Sequence, residues 1–113
     1  MVVQFELSDL EVDRIFHALA DATRRDIVRR TLAGDSTVSE LASAYAMSFA
    51  AVQKHVAVLE GAGLVTKTSH GRSRLVRADP TTIARARRLL EGYARLWTGR
   101  IDRLDALLAE HDD

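Results

Sequence analysis

Apolar residues recur at helical spacing through most of this chain. Leu10, Val12, Ile15, Phe16 and Leu19 share one side of a helix drawn over residues 9–20. A second helix is predicted from Ala22 to about Leu32, with Asp21 as its N-cap and Gly34 as its stop. Its Ile27, Val28 and Leu32 turn inward, and Arg24, Arg25, Arg29 and Arg30 mostly outward. Thr37-Val-Ser-Glu40 has the form of a capping box, in which hydroxyl and carboxylate each take an N–H group that a helix start leaves unpaired. It opens a short third helix, about Val38 to Tyr45. Ala46-Met47 forms a turn, and Ser48 caps a fourth helix from Phe49 to about Ala62. Val52, Val56 and Leu59 are its apolar stripe, and Gly61 and Gly63 end it.

The period then changes. Leu64-Val-Thr-Lys-Thr68 and Ser73-Arg-Leu-Val-Arg77 are short, rich in β-branched residues and separated by Ser69-His-Gly-Arg72, which predicts a β-hairpin. Asp79-Pro80 starts a last helix, Thr81 to about Glu110. Ile83, Ala86, Leu90, Tyr93, Trp97, Ile101, Leu104 and Leu108 make its stripe, with Gly92 and Gly99 the places where it would break. So long a stripe exceeds what one small domain covers. The expectation is one domain over residues 1–113, mainly α with a small β-hairpin in the order α-α-α-α-β-β-α. Residues 81–110 would pair two copies through Leu90, Tyr93, Trp97, Ile101, Leu104 and Leu108.

Composition narrows the class. The chain has 113 residues, 47% hydrophobic and 28% charged, which suits one folded domain rather than a disordered segment. It has no cysteine, so disulfides, thiolate metal sites and thiol nucleophiles are excluded. Met1 to Leu10 has neither a basic head nor a long apolar run, and nothing approaches the roughly 18 apolar residues of a membrane span. A cytoplasmic protein without a membrane partner is expected.

Net charge is zero, but it is unevenly spread. Residues 1–47 carry 5 basic and 8 acidic side chains, and residues 79–113 carry 6 and 7. Residues 48–78 carry Lys54, Lys67, Arg72, Arg74 and Arg77 against Glu60 alone. Such a local basic segment can meet a polyanion while the molecule stays neutral.

That segment holds the second helix of a helix-turn-helix and the hairpin after it. Leu41, Ala42, Tyr45, Met47 and Val52 supply the contacts between the two helices, which leaves Phe49, Ala50, Gln53, Lys54 and Ala57 on the outer face. Gln53 could pair with adenine, Lys54 with guanine O6 and N7, and Phe49 or Ala50 with a thymine methyl. Ser48 and the free N–H groups beside it suit a phosphate, and one nitrogen of the half-buried His55 could reach another. The hairpin tip, His70-Gly-Arg-Ser-Arg74, is basic and suits the minor groove or its phosphates. Helix-turn-helix plus basic hairpin is a winged helix-turn-helix, a fold that also serves as a protein-docking module without DNA.

Phe16-His-Ala-Leu-Ala-Asp-Ala-Thr-Arg-Arg25 resembles the opening of ArsR-type, or arsenical-repressor, transcriptional regulators. Met47 to Val65 is similar to that family's recognition helix and entry to the wing, and His70-Gly-Arg-Ser-Arg-Leu-Val76 to its wing. The resemblance covers about residues 12–80. It implies a homodimer paired through terminal helices, binding double-stranded DNA at an imperfect palindrome and usually repressing. Metal-sensing members carry Cys-x-Cys where this chain has Val38-Ser-Glu-Leu-Ala42. Arg95-Leu-Trp97 and Arg100-Ile-Asp-Arg-Leu-Asp105 are similar to a branch not known for metal sensing. His17, His55, His70 and His111 are scattered, and Asp102, Asp105, Glu110 and His111 lack a second nearby His. No metal and no cofactor is expected, a metal-responsive repressor of the same fold remaining the alternative. Glycine-rich phosphate loops and nucleophile elbows are absent, so no enzyme is expected. The sequence does not name an effector.

Overall fold

A computed structural model describes residues 7–111; Met1 to Glu6, and Asp112 and Asp113 of the acidic tail, lie outside the described residues. The order is α1 (Asp9–Leu19), α2 (Ala22–Ala33), β1 (Ser36–Thr37), α3 (Val38–Ser43), α4 (Phe49–Gly61), β2 (Val65–His70), β3 (Ser73–Ala78) and α5 (Pro80–His111). Each of the first four helices begins at a side-chain cap. Ser8 and Glu11 form a capping box on α1, Asp21 accepts from the Arg24 N–H, Thr37 and Glu40 form the box on α3, and Ser48 accepts from the Ala51 N–H. At α5 the Asp79 carboxylate accepts from the Thr81 N–H at 3.0 Å, with Pro80 in the first helical position.

One core serves all of these elements. Ile15, Ile27, Leu41, Val52, Val56, Leu59, Leu64, Val65 and Val76 are fully buried, and Thr82 and Ala86 bring in the start of α5. The hairpin gains a strand that lacks any period of its own. Ser36 and Thr37 pair antiparallel with Val76 and Leu75, giving a three-stranded sheet in the order β1-β3-β2. Arg77 Nε, 2.9 Å from Asp35 Oδ2, fastens that edge.

Three further details, in α2 and α3, differ from the sequence-based expectation. The third helix ends at Ser43 rather than Tyr45. On α2 it is Thr31 that is buried, while Leu32 is 52% exposed. At about 100° per residue, position 31 falls between 27 and 28 on the helix circumference and position 32 falls outside them. The Thr31 hydroxyl is satisfied by the Ile27 and Val28 carbonyls. Third, Arg24 is not an outward side chain: it is half buried and bonded to two neighbouring helices.

Gly92 and Gly99 do not interrupt α5, which runs unbroken for 32 residues. At 1.5 Å per residue it is about 48 Å long. The radius of gyration, 19.6 Å, exceeds the roughly 13 Å of a compact domain this size because the far half of α5 projects from the core. Among the described residues, no helix is long and apolar enough to cross a membrane.

Candidate nucleic-acid interface

The two faces of α4 are sharply divided. Val52, Val56 and Leu59 are completely buried. Phe49, Ala50, Gln53, Lys54 and Ala57 are exposed. The spacing that sends one set into the core necessarily turns the other set out. Ser48 is exposed at the helix start, its Oγ accepting the Ala51 N–H at 3.1 Å. His55 sits at the border, half buried, with Nδ1 at 3.3 Å from Arg24 Nη1 and 3.8 Å from Asp21 Oδ2.

The link from α4 to the hairpin is tightly specified. Gly63 has φ +75°, its N–H donates to Glu60 O and the Leu64 N–H to Leu59 O, both at 3.0 Å. This is a Schellman ending, completed by the buried Leu59 and Leu64. At the hairpin tip His70 pairs with Ser73 around Gly71-Arg72, and Gly71 has φ +64°. A two-residue turn with a positive φ in first place needs glycine there. His70, Arg72 and Arg74 all stand exposed around it.

Charge sorts the five cations of this segment. Lys67 Nζ lies 3.8 Å from Glu60 Oε1, and Arg77 pairs with Asp35. Lys54, Arg72 and Arg74 have no ion-pair or hydrogen-bond partner among the described residues. Two of the segment's cations are thus neutralised, one by its own Glu60 and one by Asp35 from outside it, which leaves three, on the outer face of α4 and at the hairpin tip. That is the arrangement of second helix and basic hairpin in a winged helix-turn-helix.

Comparison with known proteins agrees. A family profile described as "Helix-turn-helix domain" matches residues 19–68. The HTH-type transcriptional regulator Rv2034 of Mycobacterium tuberculosis is 42% identical over 92 residues, covering 74% of this chain and 86% of that protein. An ArsR-like transcriptional regulator from Rhodococcus sp. RHA1 superposes with TM-score 0.77 at 30% identity, over 87% of this chain and 92% of that one. The chain belongs to the ArsR-type winged helix-turn-helix transcriptional regulators. A further possible member of the family, from Mycobacterium bovis, is described as a homodimeric winged helix-turn-helix DNA-binding domain. It superposes with TM-score 0.62 at 26% identity, over 84% of this chain and 91% of that one.

The apolar face of α5 lies elsewhere. Leu90, Tyr93, Trp97, Ile101, Leu104 and Leu108 are all exposed in the single chain, and Leu96 and Leu107 widen the face. Sequence reading passed over these last two because they flank the main stripe. It also passed over Arg24, whose partner on α4 is 31 residues away and leaves no local trace. Among the described residues no three His, Asp or Glu side chains converge as metal ligands would.

Proposed function

We propose that this ArsR-type regulator is a cytoplasmic repressor that binds an imperfectly palindromic DNA duplex as a homodimer. The observation that carries the reading is the selective pairing of charge, which leaves Lys54, Arg72 and Arg74 free beside an exposed, non-acidic recognition face. Gln53 and Lys54 read base edges, and Phe49 and Ala50 meet thymine methyls. Ser48, the first-turn N–H groups and His55 hold phosphates, while His70, Arg72 and Arg74 reach the minor groove or the backbone beside it. A protein-docking module would have no need of three free cations on these two surfaces.

Dimerisation through residues 81–110 is supported by the uncovered apolar face of α5 and by the homodimeric relative. Twofold symmetry then requires a twofold-related site in the DNA. The decisive experiment is selection of bound fragments from the source genome. An inverted repeat with half-sites about one helical turn apart is expected. Transcription from the adjoining promoter should rise when the gene for this chain is deleted. Fragments enriched without a shared repeat, or transcription that falls, would reject the palindrome or the repressor role respectively.

A further inference from the structure

Three helices meet on the Arg24 side chain. Its Nε donates to Ala18 O at 2.7 Å and its Nη2 to His17 O at 3.1 Å, both at the carbonyl end of α1. Its own backbone N–H is held by Asp21 Oδ2 at 3.0 Å, which fixes the start of α2. The remaining arm, Nη1, points to His55 Nδ1 on α4 at 3.3 Å. His55 follows Gln53 and Lys54 directly in sequence.

A guanidinium can only donate hydrogen bonds, so Nδ1 must accept here and the imidazole hydrogen must sit on Nε2. The anchor is strong because the charged group bonds carbonyls at a helix C-terminus, where the macrodipole favours a cation. We infer that Arg24 and His55 form a positioning clasp, with His55 in its Nε2–H tautomer, that ties the recognition helix to the end of α1 and sets the angle at which Gln53 and Lys54 meet the bases. The clasp rests on the reading of α4 as the base-reading helix. It deepens that reading: Arg24 touches no DNA yet governs discrimination between sequences.

A proton added at Nδ1 removes the acceptor that Arg24 uses. The groups facing His55 are Arg24 and Asp21 from α2, with Lys54 beside it on α4. From α1, Arg14 and His17 line a shallow groove one turn further along α4, against Val58 and Ala62. Protonation therefore sets imidazolium against guanidinium and leaves Asp21, at 3.8 Å, as the remaining partner. The added charge strengthens binding to any duplex, while the released helix discriminates less.

The test uses the full chain, a selected genomic fragment and a scrambled duplex of equal length. In the DNA-free chain, nitrogen spectra of His55 near pH 8 should show the Nε2–H tautomer, and Arg24→Lys should shift the Nδ1 resonance. Arg24→Ala should lower the ratio of selected to scrambled affinity roughly tenfold, about the effect of misplacing one base-reading side chain. Arg24→Lys should recover part of it. In the wild type the ratio should fall once the medium is acid enough to protonate His55. His55→Asn keeps an acceptor near the Nδ1 position and cannot titrate, so its ratio should stay level, which removes His17 and His70 as causes. Thermal unfolding shows which variants fold; should Arg24→Ala not fold, Arg24→Lys and His55→Asn carry the test. An Nδ1–H tautomer, or a ratio indifferent to Arg24 in a folded variant, overturns the clasp. A wild type with equal affinity for both duplexes overturns the base-reading role of α4 instead, and the spectra still decide whether the clasp exists.

Discussion

Lys54 and Arg72 carry the same charge and should fail differently when removed. Lys54 projects from the helix proposed to read bases, so Lys54→Ala or Gln53→Ala should cost about 1–3 kcal/mol and relax preference at one base position per half-site. Arg72 stands exposed at the hairpin tip, where phosphate or the minor groove is its proposed contact. Arg72→Ala should weaken all sequences alike and reduce the salt slope by about one per half-site. Competition binding at several salt concentrations separates the two, and equal losses on selected and random DNA for Lys54→Ala would reject base reading. A second residue-scale device holds the motif together. The Tyr45 hydroxyl donates to Asp26 Oδ2 at 2.6 Å, while Arg30 and Arg29 donate to the same carboxylate. Tyr45, with Arg30 and Arg29, holds the Asp26 carboxyl well below the usual carboxylate range. Burial, aided by the Asp26 charge, pushes Tyr45 up to about 12. A depressed carboxyl stabilises the fold above its unfolded value and loses that contribution as pH falls. Tyr45→Phe should therefore lower Tm at pH 7, and its gap from the wild type should narrow below about pH 4. In alkaline absorbance titration the raised phenol, stabilising until pH climbs through its folded value, should be missing from Tyr45→Phe.

Most helix starts and stops were legible because they are local: a capping box spans four residues and a Schellman ending six. Thr37-Val-Ser-Glu40 forms the predicted box, with Glu40 N–H donating to Thr37 Oγ1 at 3.0 Å and Thr37 N–H to Glu40 Oε1 at 2.8 Å. The strand Ser36–Thr37 was not legible, since two residues define no period and pair only with a partner about forty residues away. Leu32 misled for a related reason: hydrophobicity was read where helix angle decides, and the buried position went to a threonine able to satisfy its own hydroxyl. Long-range bonds such as Arg24 to His55 leave no local mark at all. Two element-scale substitutions test these junctions. Thr37→Ala should cost about 1 kcal/mol, measured by urea unfolding, because α3 has only six residues and this cap opens it. Gly63→Ala should cost about 1–2 kcal/mol from its left-handed backbone alone. The new Cβ would also stand 3.3 Å from Thr82 Oγ1, so α5 must yield as well. Gly61→Ala, inside α4 with open space around it, should be neutral or mildly stabilising.

At the scale of the molecule, the two proposed functions lie on different surfaces: α4 and the hairpin for bases and phosphates, α5 for a second copy. Among the described residues no cluster of metal ligands lies on either. Zinc-like ions need three or four converging ligands. The four histidines lie on α1, α4, the hairpin and the end of α5. Operator affinity should change less than about tenfold (about 1.4 kcal/mol) between chelator and added zinc, nickel or cadmium. A larger change would reveal a site shared between copies, of which Glu110 and His111 with their symmetry mates are the candidates.

The proposed dimer makes the sharper demand on the whole molecule. Only Thr82 and Ala86 of α5 are buried, so the attachment of this helix to its own core is confined to its first turns. Beyond them, Leu90 to Leu108 present eight large apolar side chains to solvent, with Leu96 as much as 72% exposed. A monomer leaving so continuous a face wet would be prone to associate, whereas pairing two copies removes it from water at about 25 cal/mol per Å². Leu104 lies in the projecting half, far from the core and from the DNA-facing surfaces. Leu104→Glu should thus give monomers that keep the folded core and bind a single half-site weakly. Tight operator binding should be lost with the dimer, because two half-sites no longer share one protein. Sedimentation with circular dichroism and binding assays reads all three properties. A wild type that sediments as a monomer at micromolar concentration, or a Leu104→Glu chain that remains dimeric, would move the pairing surface away from α5.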